Sequence, residues 1–199
     1  METLTSLKNP RVALWRSLKD HKARKETGLF LVEGRKMVSE ALASRFDVET
    51  VQCDAAQDGV QDPGNVGTIL RTADAAGFDG LLLSEQCADI FSPKVLRATM
   101  GSIFRMGVTV TPDLPGLLTH LREQGYSVIS SQLDGTPFYQ REGVAAQFVL
   151  VIGNEGNGVS PVVQATATHR LKLPMRGGAE SLNAAVAAGI MMYELTREL

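Results

Sequence analysis

The chain has 199 residues, of which 44% are hydrophobic and 21% charged, a composition that excludes a disordered protein. Its net charge of −2 excludes a protein that is basic over its whole surface. Two cysteines and three histidines exclude a disulfide framework and a cysteine-built zinc site, so no metal is expected. The sequence shows neither a signal peptide nor an apolar run of membrane-spanning length, which predicts a cytoplasmic protein without membrane contact.

Charge is unevenly distributed along the chain. Residues 1–45 contain ten Lys and Arg against five Asp and Glu, a net charge of +5, whereas the remainder has ten against seventeen, a net charge of −7. A basic segment on an acidic body is typical of proteins with a polyanionic partner. A solvated basic helix without a partner is the alternative.

The N-terminal residues predict a small α/β segment. Its elements are helix 7–25, strand 28–34, helix 35–44 and strand 48–53. Val12, Trp15 and Leu18 lie on the apolar face predicted for the first helix, and Met37 on that of the second. This segment is too small to be a complete independent domain.

From residue 57 onward, helix-like and strand-like patterns alternate. The predicted elements are helix 66–76, strand 79–84, helix 93–100, helix 114–124, strand 126–130, strand 147–153, helix 160–167, strand 169–174 and helix 181–197. This alternation predicts an α/β fold with a parallel sheet and helices on both faces.

The first motif that carries chemistry is DPGNVGTILR, residues 62–71. Asn65 is predicted to cap a helix, and Arg71 lies about one and a half turns further along it. The N-terminus of a helix is already positive, so a cation there gains nothing from the helix itself. A bound phosphate would use both the free N–H groups and the guanidinium. An ordinary cap followed by a surface arginine is the alternative.

The second motif is GNEGNG, residues 153–158, directly after the most apolar predicted strand. Its glycines allow a ligand to approach the backbone closely, and ligands of parallel sheets bind at the carboxyl ends of strands. The spacing of the glycines fits neither the dinucleotide fingerprint nor the P-loop, which argues against a nicotinamide dehydrogenase. A glycine-rich turn without a ligand is the alternative.

The third motif is LPMRGGAESLN, residues 173–183. A predicted strand ends at Pro174, a loop follows, and a helix is expected to begin with Ser181 and Asn183 in its first turn. Exposed backbone groups at such a bend can bind a purine edge without any charge, although Ser181 serves equally well as a simple helix cap. All three motifs lie at strand ends that face the same crevice, which predicts one shared site.

These motifs closely resemble motifs 1, 2 and 3 of the SpoU family, also called TrmH, of RNA ribose 2′-O-methyltransferases in the SPOUT superfamily. The matching segments are NVGTILR, IGNEGNGV and LPMRGGAESLNAAVA, and the resemblance covers about residues 57–197. It implies a parallel α/β sheet whose C-terminal part forms a deep trefoil knot, with S-adenosylmethionine bound in the knot. It also implies a homodimer with the closing helix at the interface and a site completed across that interface. We further expect the helix after Asn65 to belong to the interface.

The resemblance assigns site residues by position. Gly153, Leu173 and Leu182 are expected to line the cofactor pocket, with Met175 and Ser181 beside them. Asn65, Arg71, Glu155 and Asn183 match the polar catalytic set of the family. The family proposal makes Arg71 a base, but an arginine side chain keeps its proton far above neutral pH, so removing that proton is costly. The alternative is a cation that binds phosphate and stabilises a developing alkoxide, with proton loss late.

The predicted activity is methylation of a ribose 2′-oxygen in RNA, in 23S rRNA rather than tRNA because the front of the chain looks like a ribosomal-protein module. Two alternatives remain: a base methyltransferase of the same superfamily, and an RNA-binding module without catalysis. The predicted partners are RNA and a second copy of the chain. An isolated chain is expected to leave Met191, Met192 and Leu195 facing water.

The segment from Ser6 to Leu42 resembles the start of the L30e-like substrate domain found ahead of many family members. The predicted domains are therefore a partial substrate-binding domain over 1–56 and a methyltransferase domain over 57–199. Either the first is natively short and docks on the second, or residues are absent near 54–57. The sequence favours the second alternative, which predicts neighbouring Cα atoms further apart than about 3.8 Å in that stretch.

Overall fold

The structure is a computed structural model, and it describes residues 10–32, 34, 37, 40, 41, 44 and 53–197. Among these residues the helices are α1 (Pro10–Ser17), α2 (His21–Thr27), α3 (Pro63–Ala75), α4 (Pro93–Thr99), α5 (Leu114–Glu123), α6 (Pro161–Gln164) and α7 (Ala184–Leu195). The strands are β1 (Cys53–Asp58), β2 (Gly80–Ser84), β3 (Gly107–Thr111), β4 (Ser127–Pro137), β5 (Phe148–Gly153) and β6 (His169–Lys172). Single turns of 3₁₀ helix lie at Ser102–Phe104 and Phe138–Gln140.

The six strands form one parallel sheet in the order β3-β2-β1-β5-β4-β6. Consecutive residues of β1 face opposite sides of this sheet. Ala55 belongs to the core under α3, α4 and α7, and Ala56 to the core under α5 and α6. The predicted α/β fold, with a parallel sheet and helices on both faces, is therefore confirmed. Because all strands run in the same direction, their carboxyl ends lie at the same end of the sheet.

Two helices begin differently from the sequence prediction. Pro63 occupies the first turn of α3, and the Asp62 carboxylate accepts a hydrogen bond from the backbone N–H of Asn65 (2.9 Å). Asp62 is therefore the cap, which frees the Asn65 side chain for other contacts. Asn183 caps α7 by accepting from the N–H groups of Ala185 (2.9 Å) and Val186 (3.3 Å). The expectation that the helix starts at Ser181 is wrong.

The N-terminal residues also depart from the prediction. The expected helix 7–25 is two helices, because the chain turns after α1 to bury Leu18 and begins again after Asp20. Trp15 was expected to face inward but is 45% exposed. The expected strand over 28–34 is wrong, since Gly28 ends α2 with φ of 67° and residues 29–32 pair with no strand. The side chain of Val12, most of the expected helix 35–44 and residues 48–52 lie outside the described residues.

The N-terminal segment docks on the loop that follows β2. Arg24 is buried, and its guanidinium donates to the Asp89 carboxylate (Nε to Oδ2, 2.9 Å) and to the Leu18 carbonyl (2.7 Å). Phe30 stacks on Phe91 with ring centroids 4.8 Å apart. An ion pair and an aromatic contact therefore join α2 and the residues after it to the loop beyond β2.

The expected break near residues 54–57 is wrong. These residues lie within β1, the third strand from one edge of the sheet, and each pairs with both β2 and β5 without interruption. A missing segment at this point would disrupt that pairing. The described residues therefore agree with the other alternative, a short N-terminal segment docked on the domain that follows.

The apolar side of α7 that was expected to face water is the side that packs in the core. Met191 and Met192 are fully buried in the chain's own core, and Leu195 is also buried. The expectation that these residues face water is wrong. The exposed apolar side of α7 is formed instead by Val186, Ile190 and Tyr193, which follow each other at helical spacing.

The central strand carries one polar side chain without a partner. Gln57 is fully buried, and neither its amide nitrogen nor its amide oxygen has a hydrogen-bond partner among the described residues. A buried unsatisfied amide is destabilising. Gln57→Met keeps the unbranched side chain and removes the amide, so we expect the free energy of unfolding in urea to rise by about 1–2 kcal/mol.

Gln164→Met is the matched control for this substitution. The Gln164 amide donates to the Val159 carbonyl (2.7 Å), so its loss is expected to lower the free energy of unfolding by about 1 kcal/mol. A Gln57→Met protein that is less stable than the wild type would show that the buried amide has a partner.

Candidate active site

A cavity of about 710 Å³ opens beyond the carboxyl ends of β5 and β6. Its wall is built by three segments of chain: residues 131–134 of β4, the loop from 152 to 159 after β5, and residues between 173 and 187 that lead into α7. This is the edge of the sheet at which parallel α/β proteins bind ligands. The second and third sequence motifs therefore share one cavity, as their positions at strand ends predict.

All the residues assigned to the cofactor pocket line this cavity. They are Gly153, Leu173, Met175, Ser181 and Leu182. Glu155 and Asn183 line it too, so the cavity joins the expected binding residues to two of the four expected catalytic residues.

Gly153 allows the loop after β5 to fold back on its own strand. A Cβ atom at this position would lie 2.2 Å from the backbone of Gly158 and Val159. Asn154 then closes the loop, since its backbone exchanges two hydrogen bonds of 2.9 Å with Gly158. The Asn154 side chain accepts from the N–H of Gly156 (2.9 Å) and donates to the Gly59 carbonyl (2.8 Å). The loop is therefore held by its own backbone and tied to the end of β1.

Three polar side chains from the three motifs form one chain of hydrogen bonds. Asn65 Nδ2 donates to Glu155 Oε1 (2.9 Å), and Asn183 Nδ2 donates to Asn65 Oδ1 (3.0 Å). Asn65 is buried, whereas Glu155 and Asn183 are exposed at the cavity. Both amides are hydrogen-bonded through their nitrogen and their oxygen, since Asn183 Oδ1 also accepts from the start of α7. The fold therefore determines the orientation of these groups before any ligand binds.

Glu155 is held as a carboxylate. Partial burial alone would raise the pKa of this group, but hydrogen bonds from the Asn65 side chain and from the N–H groups of Gln61 and Asp62 (both 3.2 Å) outweigh it. The pKa of Glu155 therefore lies below its ordinary value of 4.5. The group is an acceptor and an anchor for the start of α3 at neutral pH.

The lowered pKa of Glu155 predicts a pH-dependent stability. A carboxylate whose pKa is lower in the folded state stabilises the fold above its unfolded pKa of about 4.5, and this contribution is lost as the pH falls through the folded value. We expect Glu155→Gln to be less stable than the wild type at pH 7, with the difference shrinking below about pH 4.5. Urea titrations from neutral to acid pH measure it, with Glu123→Gln on α5 as the charge control. A difference that grows on acidification would contradict the prediction.

Of the four expected catalytic residues, Asn65 and Arg71 do not line the cavity. Asn65 is joined to the cavity by its hydrogen bonds to Glu155 and Asn183, whereas Arg71 contacts neither of them. It lies on the exposed side of α3, and it forms no hydrogen bond or ion pair with any described residue. The guanidinium is therefore available to a group outside this chain.

Sequence reasoning missed two parts of this site. Residues 131–134 belong to no motif, and a strand was expected to end at residue 130. Asn154 was not singled out, although an asparagine between glycines at a strand end is a common signal of a loop closed by its own side chain.

Among the described residues, no group of three or more His, Cys, Asp and Glu side chains is placed to hold a metal ion.

A cavity at the carboxyl ends of the strands of a parallel α/β sheet, beside a preorganised chain of polar groups, is the arrangement in which α/β proteins bind small ligands. The model of the SpoU rRNA methylase family matches residues 55–193, and the chain belongs to that family. The model of the MRM3-like substrate binding domain matches residues 9–75, which overlaps the start of this match.

One curated relative extends over nearly the whole chain. The 23S rRNA (guanosine(2553)-2′-O)-methyltransferase RlmP of Bacillus subtilis is 35% identical over 247 residues, covering 98% of this chain and 99% of that protein. Because this chain has only 199 residues, at least 48 aligned positions (247 less 199) of that relative have no counterpart here.

Solved structures share the fold over their full length. A TrmH-family structure from Porphyromonas gingivalis has a TM-score of 0.89 and 33% identity, covering 98% of this chain and 100% of that one. An AdoMet-bound rRNA methyltransferase from Sinorhizobium meliloti has a TM-score of 0.86 and 29% identity, covering 100% of this chain and 98% of that one. No helix in the described part of the present chain has the length and hydropathy needed to cross a membrane.

Proposed function

We propose that this protein transfers a methyl group from S-adenosylmethionine to a ribose 2′-hydroxyl of RNA, in 23S rRNA, within the cytoplasm. Membership of the SpoU rRNA methylase family and the activity named for the Bacillus relative support this assignment. The observation that carries it is the hydrogen-bonded chain of Glu155, Asn65 and Asn183 beside the cavity. This arrangement joins one polar group from each of the three motifs.

The cavity fits the cofactor in size and chemistry. Its volume of about 710 Å³ lies within the range of small-molecule sites. Leu173 and Leu182 supply apolar surface for a nucleoside, and the glycine loop after Gly153 exposes backbone N–H and carbonyl groups. The described lining contains three carboxylates and no Lys, Arg or His, which suits a ligand with positive charge. We assign Gly153, Leu173, Met175, Ser181 and Leu182 to its binding.

The remaining residues act on the RNA. The cofactor, when bound, supplies a methyl group on a positively charged sulfur, so the protein must position the ribose and make its oxygen nucleophilic. We assign to Asn183 the orientation of the ribose, while Asn65 and Glu155 hold Asn183 in place. Arg71 binds the neighbouring phosphate and stabilises negative charge on the ribose oxygen. The hydroxyl proton leaves late, to solvent.

A homodimer would complete this site. Arg71 lies outside the cavity of its own chain, and α7 exposes the apolar side formed by Val186, Ile190 and Tyr193. Exposed apolar stripes of this kind are typical of interfaces. We propose that α7 and α3 form the interface and that Arg71 serves the site of the partner. Light scattering at micromolar concentration is expected to give twice the mass of the 21.4 kDa chain, and a mass of one chain would contradict the proposal.

The proposal includes a trefoil knot in the C-terminal part. Among the described strands β6 pairs only with β4 at one edge of the sheet, yet α7, which follows β6, packs on α3 over the core beneath β1 and β5. The residues between β6 and α7 must therefore pass the carboxyl ends of the strands, beside the loop after β5. Tracing the crossings of the chain in a crystal structure tests this.

The N-terminal residues 1–56 are proposed as a substrate-binding segment ahead of a methyltransferase domain over 57–199. The match of residues 9–75 to a substrate-binding domain and the basic charge of this segment support a role in RNA binding. Phosphate contacts from lysine and arginine weaken steeply with salt. RNA affinity of the full chain is therefore expected to fall as salt rises.

Two measurements test the proposed function. Calorimetric titration with S-adenosylmethionine is expected to give saturable heat, whereas an RNA-binding module without catalysis would give none. Transfer of labelled methyl groups to unmodified 23S rRNA and to bulk tRNA, compared side by side, is expected to favour the rRNA. Label in tRNA alone would contradict the choice of substrate but leave the reaction class standing.

A further inference from the structure

One wall of the cofactor cavity comes from a segment that belongs to none of the three motifs. Ser131 and Thr136 of β4 both pair with Leu171 of β6, so the four residues between them project from the ladder toward the cavity. Gly135 anchors this projection, because a Cβ atom there would lie 2.6 Å from the Arg170 carbonyl oxygen. The backbone thus holds Asp134 in a defined place on the cavity wall.

Asp134 is a carboxylate with no partner among the described residues. It is exposed, it lines the cavity, and it forms no hydrogen bond or ion pair in the described part of the chain. Glu155, which lines the same cavity, is already occupied by Asn65 and two backbone N–H groups. Asp134 is thus free to interact with a ligand, and no cationic side chain among the described lining residues neutralises it.

We propose that Asp134 is a specificity residue that favours the positively charged methyl donor over its neutral demethylated product. This inference rests on the proposed function. Loss of the methyl group leaves the electron pair of the broken bond on sulfur, so the product has one positive charge fewer than the donor. A fixed anion on the wall therefore stabilises the donor more than the product, and product release becomes easier after transfer.

The expected effect is measurable as a ratio of two affinities. A single charge on the wall of a cavity of this size changes the affinity for a unit cation by about tenfold at the effective dielectric constant of a partly exposed site. Asp134→Asn retains shape and hydrogen-bonding capacity and removes the charge. We therefore expect about a tenfold loss of affinity for S-adenosylmethionine and less than about a twofold loss for S-adenosylhomocysteine.

The experiment is calorimetric titration of the full chain with each of the two ligands, at low and at high salt. Asp134→Glu keeps the charge and is expected to keep the preference of the wild type. Glu123→Gln removes an exposed carboxylate on α5, outside the cavity, and is expected to change neither affinity. Because salt screens exposed charges, the preference of the wild type for the donor is expected to shrink at high salt. Thermal melting without ligand verifies that each variant is folded.

The outcomes separate this inference from the proposed function. Equal losses for both ligands in Asp134→Asn, or no loss for either, would overturn the role of the charge. A preference that salt does not change would overturn it as well. A wild-type protein that binds neither ligand would instead overturn the proposed function.

Discussion

Arg71→Ala is expected to lower kcat/KM for methyl transfer by about 1,000-fold while leaving the affinity for S-adenosylmethionine within a few fold of the wild type. Arg71 lies on the exposed side of α3, outside the cavity, so its loss removes no wall of the cofactor site. The loss falls on the reaction because the guanidinium is the group assigned to the phosphate and to the charge on the ribose oxygen. Calorimetry for the cofactor and initial rates for the RNA measure the two effects separately.

Two further variants sharpen the test of Arg71. Arg71→Lys is expected to fail almost as completely, since a compact ammonium cannot replace a planar group that donates to two oxygens at once. Arg170→Ala removes another exposed arginine, on β6, and is expected to leave the rate unchanged. The division of roles would be contradicted if Arg71→Ala lost cofactor affinity together with activity, or if it kept more than about a tenth of the wild-type rate.

Gly153→Ala is expected to lower the affinity for S-adenosylmethionine by about 100-fold. The added methyl group would lie 2.2 Å from the backbone of Gly158 and Val159, so the loop after β5 has to move away from its strand. Overpacking of this kind costs up to about 3 kcal/mol, and a displaced loop no longer offers its backbone to the cofactor. Calorimetry measures the affinity, and thermal melting measures any loss of stability.

Gly156→Ala is the matched control in the same loop. A Cβ atom at Gly156 would meet only the Asn154 side chain at 3.6 Å, which is an ordinary contact. We therefore expect its cofactor affinity to stay within a few fold of the wild type. Equal losses in the two variants would show that the loop needs glycine flexibility in general, and not the close approach at Gly153.

The sequence predicted four of the six described strands and most of the cavity because both depend on local patterns. It missed β1, since it placed a strand over 48–53 and only a link after it, whereas β1 spans Cys53–Asp58. The apolar runs of β2 and β5 are unbroken, and the glycine loop follows directly after β5. All five residues assigned to cofactor binding line the cavity, although their roles stay predictions. The edge strand β3 went unpredicted even though GVTVT alternates in polarity, because it lacks the unbroken apolar run of β2 and β5 and none of its residues is fully buried.

Tertiary contacts explain what the sequence could not predict. Asn65 is a plausible helix cap when only its neighbours in the sequence are considered. In the structure Asp62 is the cap, so the Asn65 side chain is free to form hydrogen bonds with Glu155 and Asn183 from distant parts of the chain. The helix α7 is apolar nearly all round, so no periodicity distinguishes its buried side from its exposed one. Met191 and Met192 were therefore assigned to the wrong side.

The central claim, that the protein methylates a ribose oxygen, is tested most directly by locating the methyl group. RNA labelled by the purified protein with tritiated S-adenosylmethionine is hydrolysed in alkali, which cleaves beside every free 2′-hydroxyl. A methylated 2′-oxygen blocks that cleavage, so the label is expected in alkali-stable dinucleotides. Label in single nucleotides would place the methyl group on a base and contradict the account.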